Sequence, residues 1–169
     1  MSIITYKRNN ASQITPNFRY NEFDCKCGCS QTKHNTELSD KLQILRDYVG
    51  KPVIITSPYR CPAHNSKVGG ASQSRHMGGN AADFIIENMD VWEIGKICES
   101  IGFNGIGVYD GGYVHVDVRP VPEKFFWHNS DSNKVATFGG SPGSIIPKPE
   151  NSSDKLAEAI KAVLKDFGY

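Results

Sequence analysis

Ser74-Arg75-His76-Met77-Gly78-Gly79-Asn80-Ala81-Ala82-Asp83, answered further along the chain by Val114-His115-Val116-Asp117-Val118-Arg119, are the two segments that decide how this protein folds. Side chains at i and i+2 of a strand share a face, so His115, Asp117 and Arg119 project together while Val114, Val116 and Val118 enter the core. A row of ionisable groups on one strand face is seldom packing, because such groups are rarely buried unless paired or bound to metal. The glycines at 78 and 79 permit the tight turn that carries Asp83 back toward His76. Asp83 lies just inside the apolar run Ala81-Ala82-Asp83-Phe84-Ile85-Ile86, where a carboxylate is unfavourable unless something positive meets it. His76, Asp83 and His115 together offer two imidazoles and a carboxylate. That set leaves one tetrahedral position of a zinc ion open, as catalytic rather than structural zinc requires. One zinc ion per chain is expected.

Around these segments the periodicity alternates between helix and strand. Leu38, Leu42, Leu45 and Val49 fall at i, i+4, i+7 and i+11 and predict an amphipathic helix over 36–49, stopped by Gly50 and Pro52. Residues 53–57 are short, apolar and β-branched, a strand ended by Pro58. From Arg60 to Gly79 the chain is rich in Gly, Ser and Asn without period, a long loop of the kind that is more often functional than structural. A strand follows over 81–86. Val91, Ile94, Ile97, Cys98 and Ile101 predict a second helix ended by Gly102, and 106–109 with 113–118 flank an Asp110-Gly111-Gly112 turn as a hairpin. The expected class is α+β, a small antiparallel sheet flanked by helices, within a domain spanning 1–138. Residues 139–153 have linker composition, and 154–169 predict a helix with Leu156, Ile160, Val163, Leu164 and Phe167 on one stripe. That helix is expected to pack on the core or to begin a further domain, since a lone helix of about 15 residues is marginal in water.

With 169 residues, 38% hydrophobic and 22% charged, the chain can bury one full core. Nineteen Lys and Arg against eighteen Asp and Glu leave a net charge of +1. No basic block or acidic tail points to a nucleic acid or a membrane, and a monomer is expected. The first twelve residues lack the apolar core of a signal peptide, so action outside the cell would follow cytoplasmic synthesis and release by other means. Five cysteines, at 25, 27, 29, 61 and 98, are too few for a disulfide framework. Cys98 sits in a helical apolar stripe as a small core residue. The cluster Cys25-Lys26-Cys27-Gly28-Cys29, with Cys61 ahead of Pro62, is compatible with a second metal site or with a disulfide to Cys61. Its Cys-x-Cys spacing lacks the two-residue gap of the common zinc hook.

Ser74-x-His76, six further residues, Asp83, and a later histidine on a strand resemble the zinc D-alanyl-D-alanine carboxypeptidase family, whose fold is shared by the hedgehog signalling domain. Ser57-Pro58-Tyr59-Arg60, Asn65, Val68-Gly69-Gly70-Ala71, Phe23-Asp24-Cys25-Lys26-Cys27 and Gly105-Ile106-Gly107 extend the resemblance over roughly residues 18–128. The resemblance implies that His76, Asp83 and His115 are zinc ligands and that Arg60 orients substrate. It also implies the substrate class, stem peptides of peptidoglycan. Many members carry a catalytic acid or histidine two or three residues before the third ligand, where this chain has Gly112 and Tyr113. The expected general base is instead Asp117, which shares the face of His115, with Asp110 at the hairpin turn as the other candidate; the alternative role for Asp117 is to orient a ligand or pair with Arg119.

The expected activity is metal-assisted hydrolysis of a stem-peptide bond, as a carboxypeptidase or an endopeptidase, for example in a phage lysin. Two other classes remain open on sequence: a catalytically inactive, metal-stabilised wall-binding or virion component, and an unrelated zinc amidase.

Overall fold

The computed structural model describes residues 2–121 and 123–141; the helix expected over 154–169 and most of the expected linker lie outside them. The chain opens with two small antiparallel pairs, β1 (Ile3–Lys7) with β4 (Gln31–Asn35) and β2 (Gln13–Thr15) with β3 (Phe18–Arg19). A 3-10 turn over Tyr20–Phe23 links them. None of these four strands has a strong period in sequence, because β1 exposes most of its residues and pairs along one edge only.

The amphipathic segment forms α1 (Thr36–Val49), within the expected bounds. The Asn35 side chain accepts the Glu37 N–H at its start, and Gly50, at φ 65°, ends it. Asn35 also fastens this unit to the centre of the molecule, donating to Asn80 Oδ1 at 2.8 Å and, from its backbone, to Gly79 O at 3.0 Å.

β5 (Ile54–Ser57), α2 (Pro62–Lys67), β6 (Ala81–Ile85), α3 (Val91–Ile101), β7 (Gly105–Tyr109), β8 (Tyr113–Asp117), β9 (Phe125–His128) and β10 (Ser130–Val135) follow. Six of these strands form one sheet in the order β10-β9-β7-β8-β6-β5. The expected hairpin is β7–β8. The sheet is mixed rather than purely antiparallel, because β9 returns parallel to β7. The expected loop 60–79 also contains α2 and a 3-10 turn over Arg75–Gly78, both too short to leave a hydrophobic period. Among the described residues no helix is long and apolar enough to cross a membrane.

One sheet face is the core. Phe84, Val114 and Val108 are neighbours across β6, β8 and β7, and Ala82, Val116, Ile106 and Phe126 form the next row; all are buried. α3 packs on this face with Ile94, Ile97 and Cys98, and α1 packs on α3. Each buried aliphatic side chain contributes about 1.5–3 kcal/mol, so the alternation that selects this face also supplies the force that holds it.

His34, 1% exposed, lies beside Ser39 Oγ at 2.9 Å and against the Phe23 ring. Burial disfavours its charged form and pushes its pKa down to about 4. The unfolded chain binds that proton near pH 6.5, so His34 favours the folded state above pH 6.5 and loses this contribution as pH falls toward 4. At 1.36 kcal/mol per unit the loss is about 3 kcal/mol. Urea unfolding of the protein at pH 7 and pH 4.5 should show most of it, and a His34→Gln variant should show a flatter profile.

Candidate metal centre

The opposite face of the sheet carries the site. Ser57, Asp83, His115, Gly107 and Trp127 are register neighbours on β5, β6, β8, β7 and β9, so one row of pairing partners crosses five strands. His76 joins this row from the 3-10 turn, which Gly79 closes at φ 74°. The fold thus brings together the two segments that stand apart in the sequence.

His76, 3% exposed, holds its Nδ1 at 2.8 Å from the Pro58 carbonyl oxygen, so Nδ1–H donates and Nε2 is left with its lone pair toward Asp83 and His115. His76 Nε2 stands 3.2 Å from His115 Nδ1 and 3.3 Å from Asp83 Oδ1, and His115 Nδ1 stands 2.8 Å from Asp83 Oδ1. Ligand atoms at about 2.0–2.1 Å from a tetrahedral zinc ion are about 3.3 Å apart, so this triangle of donors has the size the ion requires. The other oxygen of Asp83 accepts from Arg60 Nη2 at 2.6 Å, and Arg60 Nε donates to Ser57 Oγ at 2.8 Å. Burial opposes ionisation of Asp83, yet the hydrogen bond and charge of His115 hold its carboxyl far below the usual range. Burial, with the charges of His115 and Arg60, pushes His76 down and keeps it neutral, the form in which an imidazole can bind a metal.

Asp117 lies on the far side of His115. Its Oδ2 is 3.4 Å from His115 Nε2, and Arg119 grips both oxygens, from Nε at 2.8 Å and from Nη2 at 2.5 Å. Asp117 is fully buried, and although burial raises its pKa, Arg119 and His115 hold it well below the usual carboxylate range. Such a group is a weak base at neutral pH, and its lone pairs are taken. The proton-accepting role expected of Asp117 therefore meets the geometry of a residue that orients His115, the other role open to it. Asp110 is exposed at the turn, where it accepts from His128 Nε2 and Asn129 Nδ2, both at 2.7 Å, outside the residues that line the cavity.

That cavity, of about 470 Å³, is open above His76, Asp83 and His115. Arg60, Arg75 and Arg119 line it, giving a rim suited to carboxylate-bearing ligands. Tyr109, Tyr113 and Trp127 form an aromatic wall: the tyrosine rings stack 4.2 Å apart, and Trp127 Nε1 donates to Tyr109 Oη at 2.9 Å. Sequence reasoning missed this wall. The available signal was Gly105-Ile106-Gly107, two glycines on one strand face. A Cβ at Gly107 would run into the Trp127 indole, and one at Gly105 into the Asp117 carboxylate, so both glycines exist to let those side chains lie flat on the sheet.

A family model described as Peptidase M15 matches residues 16–117, more than half the chain and the whole of the donor triangle. The chain is similar to the zinc D-Ala-D-Ala carboxypeptidase of Streptomyces albus G, with 39% identity over 67 residues, 39% of this chain and 26% of that protein. It is also similar to the peptidoglycan L,D-endopeptidase MepK of Escherichia coli strain K12, with 35% identity over 91 residues, 49% of this chain and 50% of that protein. The chain thus spans half or less of the length of these curated relatives.

Proposed function

The chain belongs to the peptidase M15 family, and from that premise we propose that it is a zinc-dependent peptidase that hydrolyses a peptide bond in peptidoglycan stem peptides. The observation that carries the proposal is the donor triangle of His76, Asp83 and His115 at the floor of an open, arginine-rimmed cavity. His76 Nε2, Asp83 Oδ1 and His115 Nδ1 would hold the ion. Zinc bound there supplies Lewis acidity, lowering the pKa of water from 15.7 toward about 7 and polarising a carbonyl.

The protein's own residues do the rest by position. Pro58 fixes the tautomer of His76 through its carbonyl, and Asp117, clamped by Arg119, does the same for His115 by accepting Nε2–H. Arg60 holds the second oxygen of Asp83, which keeps that carboxylate turned to one donor. With Arg75, its guanidinium also places positive charge beside the floor, where a substrate carboxylate is held by charge-assisted hydrogen bonds. Tyr113, Tyr109 and Trp127 wall the opposite side and restrict how a peptide backbone can lie.

One observation favours a second reading, a metal-stabilised wall-binding protein without turnover. Among the described residues lining the cavity the carboxylates are Asp83 and Asp117, and both are engaged. Mass spectrometry of purified peptidoglycan fragments, incubated with the protein with and without chelator, separates the two. Chelator-sensitive release of D-alanine marks a carboxypeptidase, and split stems mark an endopeptidase. Fragments that bind but stay intact under every zinc load would establish the second reading in place of the first.

A further inference from the structure

We propose that Cys25, Cys27, Cys29 and Cys61 form a second metal centre, a tetrathiolate site for a structural zinc ion, independent of the His76–Asp83–His115 triangle. The four Sγ atoms lie within 4.8 Å of one another, with Cys25 and Cys27 at 3.3 Å and Cys27 and Cys61 at 3.5 Å. Sulfurs bound at about 2.3 Å around a tetrahedral zinc stand about 3.8 Å apart, so the cluster has the size of a four-cysteine site with every position filled by protein. Three of these thiols lie within five residues, yet the chain turns them to one point. The Gly28 N–H bonds the Cys25 carbonyl at 3.2 Å with Gly28 at φ 83°, which folds Cys27 and Cys29 back toward Cys25.

Two backbone amides also face the sulfurs, a pattern that favours thiolate over thiol. Cys61 N–H donates to Cys25 Sγ at 3.3 Å, and His64 N–H donates to Cys61 Sγ at 3.4 Å from the first turn of α2. Cys98 supplies the contrast: it is wholly buried in the apolar core, apart from the other four, and behaves as a small hydrophobe. The ion would tie the segment between the 3-10 turn at Tyr20–Phe23 and β4 to the entry of α2. Cys61 follows Arg60 directly, so the same clamp fixes the backbone from which Arg60 reaches Asp83.

The test uses the full chain, purified with zinc and without added chelator. Metal analysis should find two zinc ions in the wild type and one in each of Cys29→Ser and His115→Ala. Thiol alkylation of the native protein should spare the four clustered cysteines until chelator is added. Cobalt exchanged into the wild type, and equally into His115→Ala, should give a thiolate-to-metal charge-transfer band that Cys29→Ser loses. If a serine variant fails to fold, the wild-type cobalt spectrum and alkylation pattern decide alone. A wild type with one zinc and four freely alkylated thiols overturns the proposal, as does an intact mass lowered by disulfide formation among them. Because the band is read in His115→Ala, its loss and a failure of the catalytic reading are separate results.

Discussion

His115→Ala should lose one zinc ion per chain and lower stem-peptide cleavage by roughly 10³-fold or more. A Lewis-acid ion supplies several kcal/mol of barrier reduction, and each 1.36 kcal/mol is tenfold in rate. The fold should survive, because His115 points to the cavity while its neighbours Val114 and Val116 hold the core face of β8. Circular dichroism and a thermal midpoint close to wild type check that. Chelation of the wild type should reproduce the loss, and zinc should reverse it there but not in the variant. The metal-free protein adds a pH signature. Burial pulls His115 down, but Asp117 and Asp83 outweigh it and raise its pKa to about 9. Zinc must then displace a proton from this imidazole, so uptake releases acid and apparent affinity weakens by about tenfold per unit as pH falls below that value.

Asp117→Asn should be the second large effect, and its pattern tells positioning from proton transfer. Removing the carboxylate leaves the Arg119 guanidinium, 9% exposed, without its partner. Breaking a buried pair on one side costs about 3–5 kcal/mol of stability. Loss of the acceptor for His115 Nε2–H should weaken zinc by about 10–100-fold, as removal of such outer partners does elsewhere. Cleavage should therefore recover in large part at saturating zinc. A proton acceptor would behave otherwise: zinc affinity and stability would hold while the rate fell by about 10²–10⁴-fold. Asp110→Asn should leave cleavage near wild type, because Asp110 is exposed at the turn and held by His128 and Asn129. Titration of zinc into each variant, followed by rates at saturation, gives all three outcomes.

The parts of the fold visible in the sequence are those whose burial is periodic. α1, α3 and the valines of β8 could be read because each presents one apolar face to one core. β1 to β4 escaped because two-stranded pairs leave little apolar surface to bury, and β9 because its four residues are too short to show a period until Gly107 is seen to receive Trp127. Asp83 and His115 stand out in the sequence because ionisable groups inside apolar strands demand a partner, whereas His76 stands out by the glycines at 78 and 79 that follow it in the loop. For Asp117 the i, i+2 alternation places it on the same face as His115 and Arg119, which admits both a proton acceptor and a partner of Arg119, and only the folded chain shows both of its oxygens gripped by Arg119. That Cys61 meets the Cys25-to-Cys29 turn could be anticipated from residue type alone, though no local period encodes the contact between these distant segments.

Crystals of the zinc-loaded protein, measured at the zinc absorption edge, decide whether His76, Asp83 and His115 hold a catalytic zinc ion. An anomalous peak is expected about 2.0–2.2 Å from His76 Nε2, Asp83 Oδ1 and His115 Nδ1, absent from His115→Ala crystals. No peak among those three atoms, in protein that still cleaves stem peptides, would refute the assignment.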